Sequence, residues 1–350
     1  MPRDLHGSGG RLEPTKTRGF HSARLHEMVE DWLDRRRFDV VQVEYTHMAH
    51  YLPPPCAGML RVLVEHDVTF VAAARGRALT EGAFRRALLW LDEQKTFRHE
   101  VLAVRGADVA ITMSEEDRAA LAPYVDASRL QVVPNGVSCT DFRFAPEDAE
   151  PATVLFVGFF RHSPNVEGVL WFAKDVLPRL RERCGEVRCL VVGAYPPPAL
   201  EELAETHPEI EIAGRVEETA SYYRRAAVFV APILRGSGTR LKILEAMASG
   251  TAVVSTTIGA EGLGAPADAI RIADDAASFA DAVAALLRDR AARLRMAVRA
   301  RAFVEERFDW SVIGRMQLGA WGLAAAAERA SARVGAVDDD ESGPPLRGVG

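Results

Sequence analysis

At 350 residues the chain has room for two domains of ordinary size, and 48% hydrophobic with 26% charged residues is a composition that can bury two cores. A net charge of −6 excludes a whole-molecule affinity for nucleic acid, which needs concentrated basic surface. The four cysteines, Cys56, Cys139, Cys184 and Cys189, form no CxxC pair and predict free thiols, not a disulfide framework or a zinc site.

No apolar run reaches the roughly 20 residues that span a bilayer, and residues 1–19 lack the apolar core of a signal peptide. A cytoplasmic protein is expected, with at most peripheral contact at the inner face of the cell membrane. In chain order, a helix is predicted over 22–35 and a strand over 38–43. A second strand, 61–64, runs into Glu65-His66-Asp67. Helical spacing covers 83–104. Strand 109–112 precedes Ser114, an N-cap with Glu115 and Glu116 in the following turn. Strand 131–133 enters the turn Pro134-Asn135-Gly136, and 143–151, with Pro146 and Pro151, reads as an interdomain linker.

Beyond it the alternation is regular. Strand 154–157 ends at Gly158, helix 165–183 follows, strand 188–192 ends at Gly193, helix 198–206 follows, and strand 210–213 ends at Gly214. A helical turn over 220–225, strand 228–231, helix 239–249, strands 252–255 and 270–273, and helices 276–287 and 291–306 complete the series. Short, wholly apolar strands between helices predict parallel sheets covered on both faces, with ligands beyond the carboxyl ends of the strands. Gly158, Gly193 and Gly214 stand at such ends, although each taken singly reads more simply as a turn glycine. Asp274-Asp275 reads as a helix N-cap in preference to a metal-binding pair. The expected organisation is a first Rossmann-like domain over 1–145, a second over 152–306, a helix within 307–330 packing back on the first domain, and a disordered tail over 331–350.

The segment richest in chemistry runs from Pro232 to Gly250. A strand feeds a loop containing Gly236, Ser237 and Gly238, which opens a helix with Thr239, Arg240, Lys242 and Glu245 in its first turns. The free N–H groups and positive dipole end of such a helix bind anions. Two glycines leave room for a phosphate, two cations neutralise it, and a carboxylate further along can accept paired ribose hydroxyls. A helix cap with solvated charges explains the spacing equally well. A Walker-type loop is absent.

The run GSGTRLKILEAMASG followed by TAVVSTTIGAEGL resembles the signature of glycosyltransferase family four. Pieces in the expected order extend the resemblance over 38–321: Val154 to Gly158 with Pro164-Asn165, Gly214-Arg215-Val216, Val132 to Val137, Ser114-Glu115 and His66-Asp67. It implies the GT-B fold, an α/β architecture of two Rossmann-like parallel-sheet domains facing across a cleft. It also implies retaining transfer of a sugar from a nucleotide diphosphate sugar, without cofactor or metal, to a glycan, lipid-linked or other acceptor in cell-surface polysaccharide or glycoconjugate synthesis. By the same resemblance Glu245 holds the ribose, and Arg240 and Lys242 neutralise the diphosphate. Gly158, Gly236, Ser237, Gly238 and Thr239 adjoin the donor, Arg215 and Val216 present the base loop, and His66 stands at the cleft as a catalytic group.

Three departures qualify this. Ser237 stands where the family usually has a glutamate, eight residues before Glu245, as in a variant branch reading much like GSGTRLKILEA. Arg161 follows the opening strand without its usual lysine partner, since the next lysine is Lys174, so the phosphate role shifts to Arg240 and Lys242. No strand is predicted within 1–37, and Gly7-Ser8-Gly9-Gly10 follows no apolar run, so the first domain is expected to be short by several elements. A sugar-nucleotide epimerase of the same fold and a non-catalytic nucleotide-sugar-binding remnant are the alternatives. Arg75 to Arg105, with Leu88, Leu89, Trp90 and Leu91, reads as a membrane-surface helix or a solvated one. The acids Glu81, Asp92, Glu93 and Glu100 favour the second.

Overall fold

The computed structural model describes residues 14–78, 80–236 and 241–323. Ser237, Gly238, Thr239, Arg240 and the tail expected over 331–350 lie outside them. The elements run α1 (Thr15–Arg18), α2 (Ala23–Arg35), β1 (Val40–Glu44), β2 (Leu60–Glu65), α3 (Thr69–Ala78), α4 (Ala83–Gly106), β3 (Val109–Thr112), α5 (Glu115–Leu121) and β4 (Leu130–Val132). The second half continues with β5 (Thr153–Val157), α6 (Ser163–Trp171), α7 (Leu177–Cys184), β6 (Arg188–Val192), α8 (Pro198–Thr206), β7 (Ile210–Gly214), α9 (Ala220–Arg225) and β8 (Val228–Ala231). It closes with α10 (Leu241–Ser249), β9 (Ala252–Ser255), β10 (Arg271–Ile272), α11 (Ala276–Arg288), α12 (Arg290–Arg307) and α13 (Trp310–Ala320).

Among the described residues the strands form two sheets, one in the order β1-β2-β3-β4 and one in the order β10-β9-β8-β5-β6-β7. Every strand pair is parallel. The apolar runs of the second sheet follow from burial on both faces. Val154, Phe156, Val228 and Val230 join one core, while Leu155, Phe229 and Ala231 alternate into the other. In the first sheet Leu63, Ala110 and Leu130 pack against α4 through Ala103 and Val104. Val62, Val64 and Ile111 face the opposite way and are covered by Ile313 of α13.

Two local features depart from the sequence expectation. The helix expected over 165–183 runs without a gap from Ser163 to Cys184 but carries one widened π turn, Phe172–Val176, between α6 and α7, where Leu177 N–H bonds Phe172 O. Pro178 has no N–H and its ring would collide with the carbonyl four residues back, so the chain opens the preceding turn. The segment 143–151 is not the crossing between domains. Ala145 N–H bonds Ser249 O, the Phe144 ring lies against Gly250, and Glu150 pairs with Arg188 and Arg225, so it is packed on the second domain.

The crossing lies earlier. Val137 and Cys139 already belong to the second domain's core. Val137 N–H bonds Phe308 O and Trp310 N–H bonds Val137 O, so the outgoing and returning strands of chain lie side by side. A Cβ on Gly136 would come within 2.7 Å of the Trp310 ring, which requires glycine at this turn. From there α13 returns to the first domain, where Gln317 and Trp321 both donate to Gln42 Oε1.

Candidate functional site

The strand order of the second sheet reverses between β5 and β8, because β6 and β7 extend to one side and β9 and β10 to the other. The loops beyond those two carboxyl ends part there and open a crevice. The loop after β5 holds Gly158, whose N–H bonds Val192 O. A Cβ at Gly158 would sit 2.8 Å from the Phe156 ring and 3.0 Å from Asn165. The loop after β8 leads through Gly236, at φ +120°, to α10.

Ile243, Leu244, Ala246, Met247 and Ala248 anchor α10 in the core, leaving Leu241, Lys242 and Glu245 on its less buried side. Lys242 Nζ donates to Asn165 Oδ1 at 2.7 Å and lies 4.6 Å above the Phe156 ring. Asn165 Nδ2 in turn donates to Phe159 O at 2.8 Å. This cation therefore ties the two sides of the switch point together.

One turn further along, Glu245 Oε2 accepts from the Tyr223 hydroxyl at 2.7 Å. Tyr223 is wholly buried between the Phe142 and Phe229 rings. Desolvation pushes the Glu245 carboxyl above the ordinary range, while the Tyr223 hydrogen bond and Lys242 act to lower it. The same burial, with Glu245 beside it, pushes the Tyr223 hydroxyl well up, so it remains a donor. Gly214, at φ +66°, accepts from Gly193 N–H, and beyond it Arg215 is exposed and Val216 half-buried. Arg161 is exposed, and its guanidinium lies over the Tyr195 ring at 4.0 Å.

On the first domain, His66 follows β2. Its Nε2 lies 2.8 Å from Glu44 Oε2 at the end of β1, and its ring lies 4.1 Å from that of Tyr45. Glu44 is held below the ordinary carboxylate range chiefly by its hydrogen bond with His66, so the ionised carboxylate orients the ring with Nε2–H donating. Beneath them Thr46 donates to the fully buried Glu65. Glu100, also buried, accepts the N–H groups of Thr69 and Phe70 at 2.8 and 3.0 Å and so caps the start of α3. Desolvation drives both carboxyls up, Glu65 well above the ordinary range and Glu100 to about 7.

Helix α3 then reaches the other domain. Arg75 pairs with both carboxylate oxygens of Glu261 at 2.6 and 2.8 Å and donates to Gly236 O at 3.4 Å. A Cβ on Gly262 would meet Ser114 at 3.2 Å. Helix α3 and the loop after β3 thus meet the loops after β8 and β9 of the second domain. The sequence reading assigned no role to Glu44, Asn165 or Tyr223. Glu44 alone carried a signal, as a carboxylate at a strand's carboxyl end. Among the described residues no group of three or more His, Cys, Asp or Glu side chains is placed to hold a metal ion.

Residues 3–141 match the model described as Glycosyltransferase Family 4, and residues 151–289 match that described as Glycosyl transferases group 1. Over 324 residues the chain is 29% identical to phosphatidyl-myo-inositol mannosyltransferase of Mycolicibacterium smegmatis, covering 87% of this chain and 78% of the relative. Among solved structures, TarM superposes with a TM-score of 0.68 at 12% identity, covering 85% of this chain and 58% of TarM. Anabaena HepE, solved with UDP and glucose, superposes at 0.63 with 16% identity, covering 87% and 80%.

Proposed function

The chain belongs to family four of the glycosyltransferases, and from that premise we propose that it moves a sugar from a nucleoside diphosphate donor to a lipid-linked or glycan acceptor with retention at the anomeric carbon. The observation that carries the donor assignment is Lys242, bridged to Asn165 across the switch point with Glu245 one turn beyond. The diphosphate meets Lys242 at the start of α10, beside Gly158 and Gly236, and Ser237, Gly238, Thr239 and Arg240 keep the donor-binding roles that the family resemblance implies. The ribose reaches Glu245, and the base meets the loop of Arg215 and Val216. His66, oriented by Glu44, stands at the reacting sugar from the facing domain.

As the glycosidic bond breaks, negative charge accumulates on the departing diphosphate. Fixed cations and helix N–H groups aimed at that charge supply about 3 kcal/mol or more of transition-state stabilisation. The mannosyl and inositol chemistry in the name of the Mycolicibacterium relative, and the UDP bound by HepE, support a sugar-nucleotide donor and favour a lipid-linked acceptor in cell-surface glycoconjugate synthesis.

The test pairs two measurements. UDP, GDP and ADP are screened by thermal unfolding, where the cognate nucleotide at a hundred times its Kd adds about 2.7 kcal/mol. Proton NMR of the product then compares the anomeric configuration of donor and product. Stabilisation by none of the three removes the donor site, an inverted product removes retention, and an altered sugar nucleotide formed without acceptor makes the chain an epimerase.

A further inference from the structure

We propose that Arg75 of the first domain is a positioning residue for the donor site, holding in place the two loops of the second domain that follow β8 and β9. Its guanidinium contacts both carboxylate oxygens of Glu261, at 2.6 and 2.8 Å, and makes a third bond, at 3.4 Å, to the carbonyl of Gly236. One side chain thus grips the loop after β9 by a carboxylate and the loop after β8 by its backbone. The two loops are themselves joined. Thr256, 2% exposed, donates its hydroxyl to Ile233 O and accepts the Gly259 N–H at 3.0 Å, while its own N–H bonds Ala231 O. A Cβ on Gly259 would come within 2.8 Å of Ala231 O, so the loop after β9 is pressed against the end of β8. The loop gripped at Gly236 leads to α10, which carries Lys242 and Glu245.

Ion pairs between flexible exposed side chains contribute little. This pair differs in three respects. The paired contact engages two guanidinium nitrogens at once, which fixes orientation as well as distance. Its root is stiff, because Glu100 of α4 accepts the N–H groups of Thr69 and Phe70 and so fixes the start of α3. Its setting is acidic. Burial pushes the Asp117 carboxyl of α5 up, the acids Asp67, Glu116 and Glu261 add to that, and Asp117 also acts on Arg75, so the guanidinium stands between carboxylates of both domains. Without it, Glu261 is left opposite acids of the first domain, and like charges push the loops off α3. The holding of the loops follows from these contacts themselves, whereas its effect on nucleotide binding rests on the donor site proposed above.

The experiment uses the full chain with two variants, Arg75→Glu and the charge swap Arg75→Glu/Glu261→Arg. Hydrogen–deuterium exchange without nucleotide reads the loops directly, since the N–H groups of Gly259, Ala260, Glu261 and Leu263 are all bonded within the loop after β9. These amides should exchange about tenfold faster in Arg75→Glu, where like charges replace the pair, and return to the wild-type rate in the charge swap, where attraction is restored. Calorimetry then follows the nucleoside diphosphate that stabilises the wild type. Its affinity should fall about tenfold in Arg75→Glu and recover in the charge swap, an effect that an ion pair of merely structural role does not have. Wild-type amide rates in Arg75→Glu overturn the proposal, as do rates in the charge swap that stay as fast as in Arg75→Glu. Faster amide exchange with unchanged nucleotide affinity also overturns it, leaving the pair a structural one. If UDP, GDP and ADP all fail to bind the wild type, the donor site falls and its positioning by Arg75 with it, while the amide rates still decide whether Arg75 holds the loops.

Discussion

Removing the Tyr223 hydroxyl tests whether the donor carboxylate is held in place from beneath. Tyr223 is 0% exposed and its hydroxyl lies 2.7 Å from Glu245 Oε2, so Tyr223→Phe deletes one hydrogen bond to a charged acceptor without changing the packing of the ring. Such bonds contribute about 1.5–3 kcal/mol. For a domain of this size that corresponds to a fall in Tm of roughly 3–12 °C. The functional effect is indirect. The carboxylate remains but is less firmly oriented, and nucleotide affinity measured by calorimetry falls roughly tenfold. In the proposed site Glu245→Ala removes the ribose acceptor itself and should lower affinity by roughly a hundredfold, about 3 kcal/mol. If Tyr223 acts only through Glu245, the double variant binds nucleotide as Glu245→Ala does, and the double-mutant cycle shows a coupling of about 1.4 kcal/mol. Equal losses from Tyr223→Phe with and without Glu245 would refute the reasoning, as would undiminished binding by Glu245→Ala.

Three further outcomes are expected. Lys242→Ala should weaken nucleoside diphosphate binding by roughly 10–100-fold while leaving the free nucleoside nearly unaffected, because in the proposed site the ammonium serves the phosphates and not the base; a calorimetric comparison of the two ligands decides it. The buried Glu100 has its native pKa raised to about 7, so its contribution to stability is fully present below about 4.5 and lost as pH rises through about 7, and Glu65, also raised, acts in the same direction. Denaturant midpoints should therefore decline between pH 5 and pH 8, and Glu100→Gln should flatten that decline; an unchanged pH profile in the variant would remove the assignment. Gly193→Ala places a Cβ 1.7 Å from Gly158 O and should cost about 3 kcal/mol by overpacking, read as a Tm loss, whereas Gly185→Ala meets no atom within 4 Å and should cost less despite its φ of +76°.

Features written in contiguous residues were legible without the fold. The second sheet is announced by strands such as 228–231 and 252–255, apolar at nearly every position because both faces are covered. Ser114 and Asp275 were readable as N-caps because a cap bonds residues two or three positions away. The loop and helix from Pro232 to Gly250 carry their glycines, cations and Glu245 on one continuous segment, so that half of the proposed donor site is present in the sequence itself.

Tertiary structure decided what depends on distant segments meeting. Lys242 and Asn165 are 77 positions apart, Tyr223 and Glu245 are 22 apart, and Glu44 and His66 are also 22 apart. The placement of β8 beside β5 creates the first of these encounters, since local propensity sets which residues form a strand but not which strand lies next to it. The same limit explains the crossing point. Prolines made 143–151 look like a linker, yet Phe144, Ala145 and Glu150 find partners on the second domain that no local pattern reveals. It also explains α4, where period and composition are local, but the direction its acids face was settled only when α3 packed against it and took Glu93 and Glu100 out of the surface.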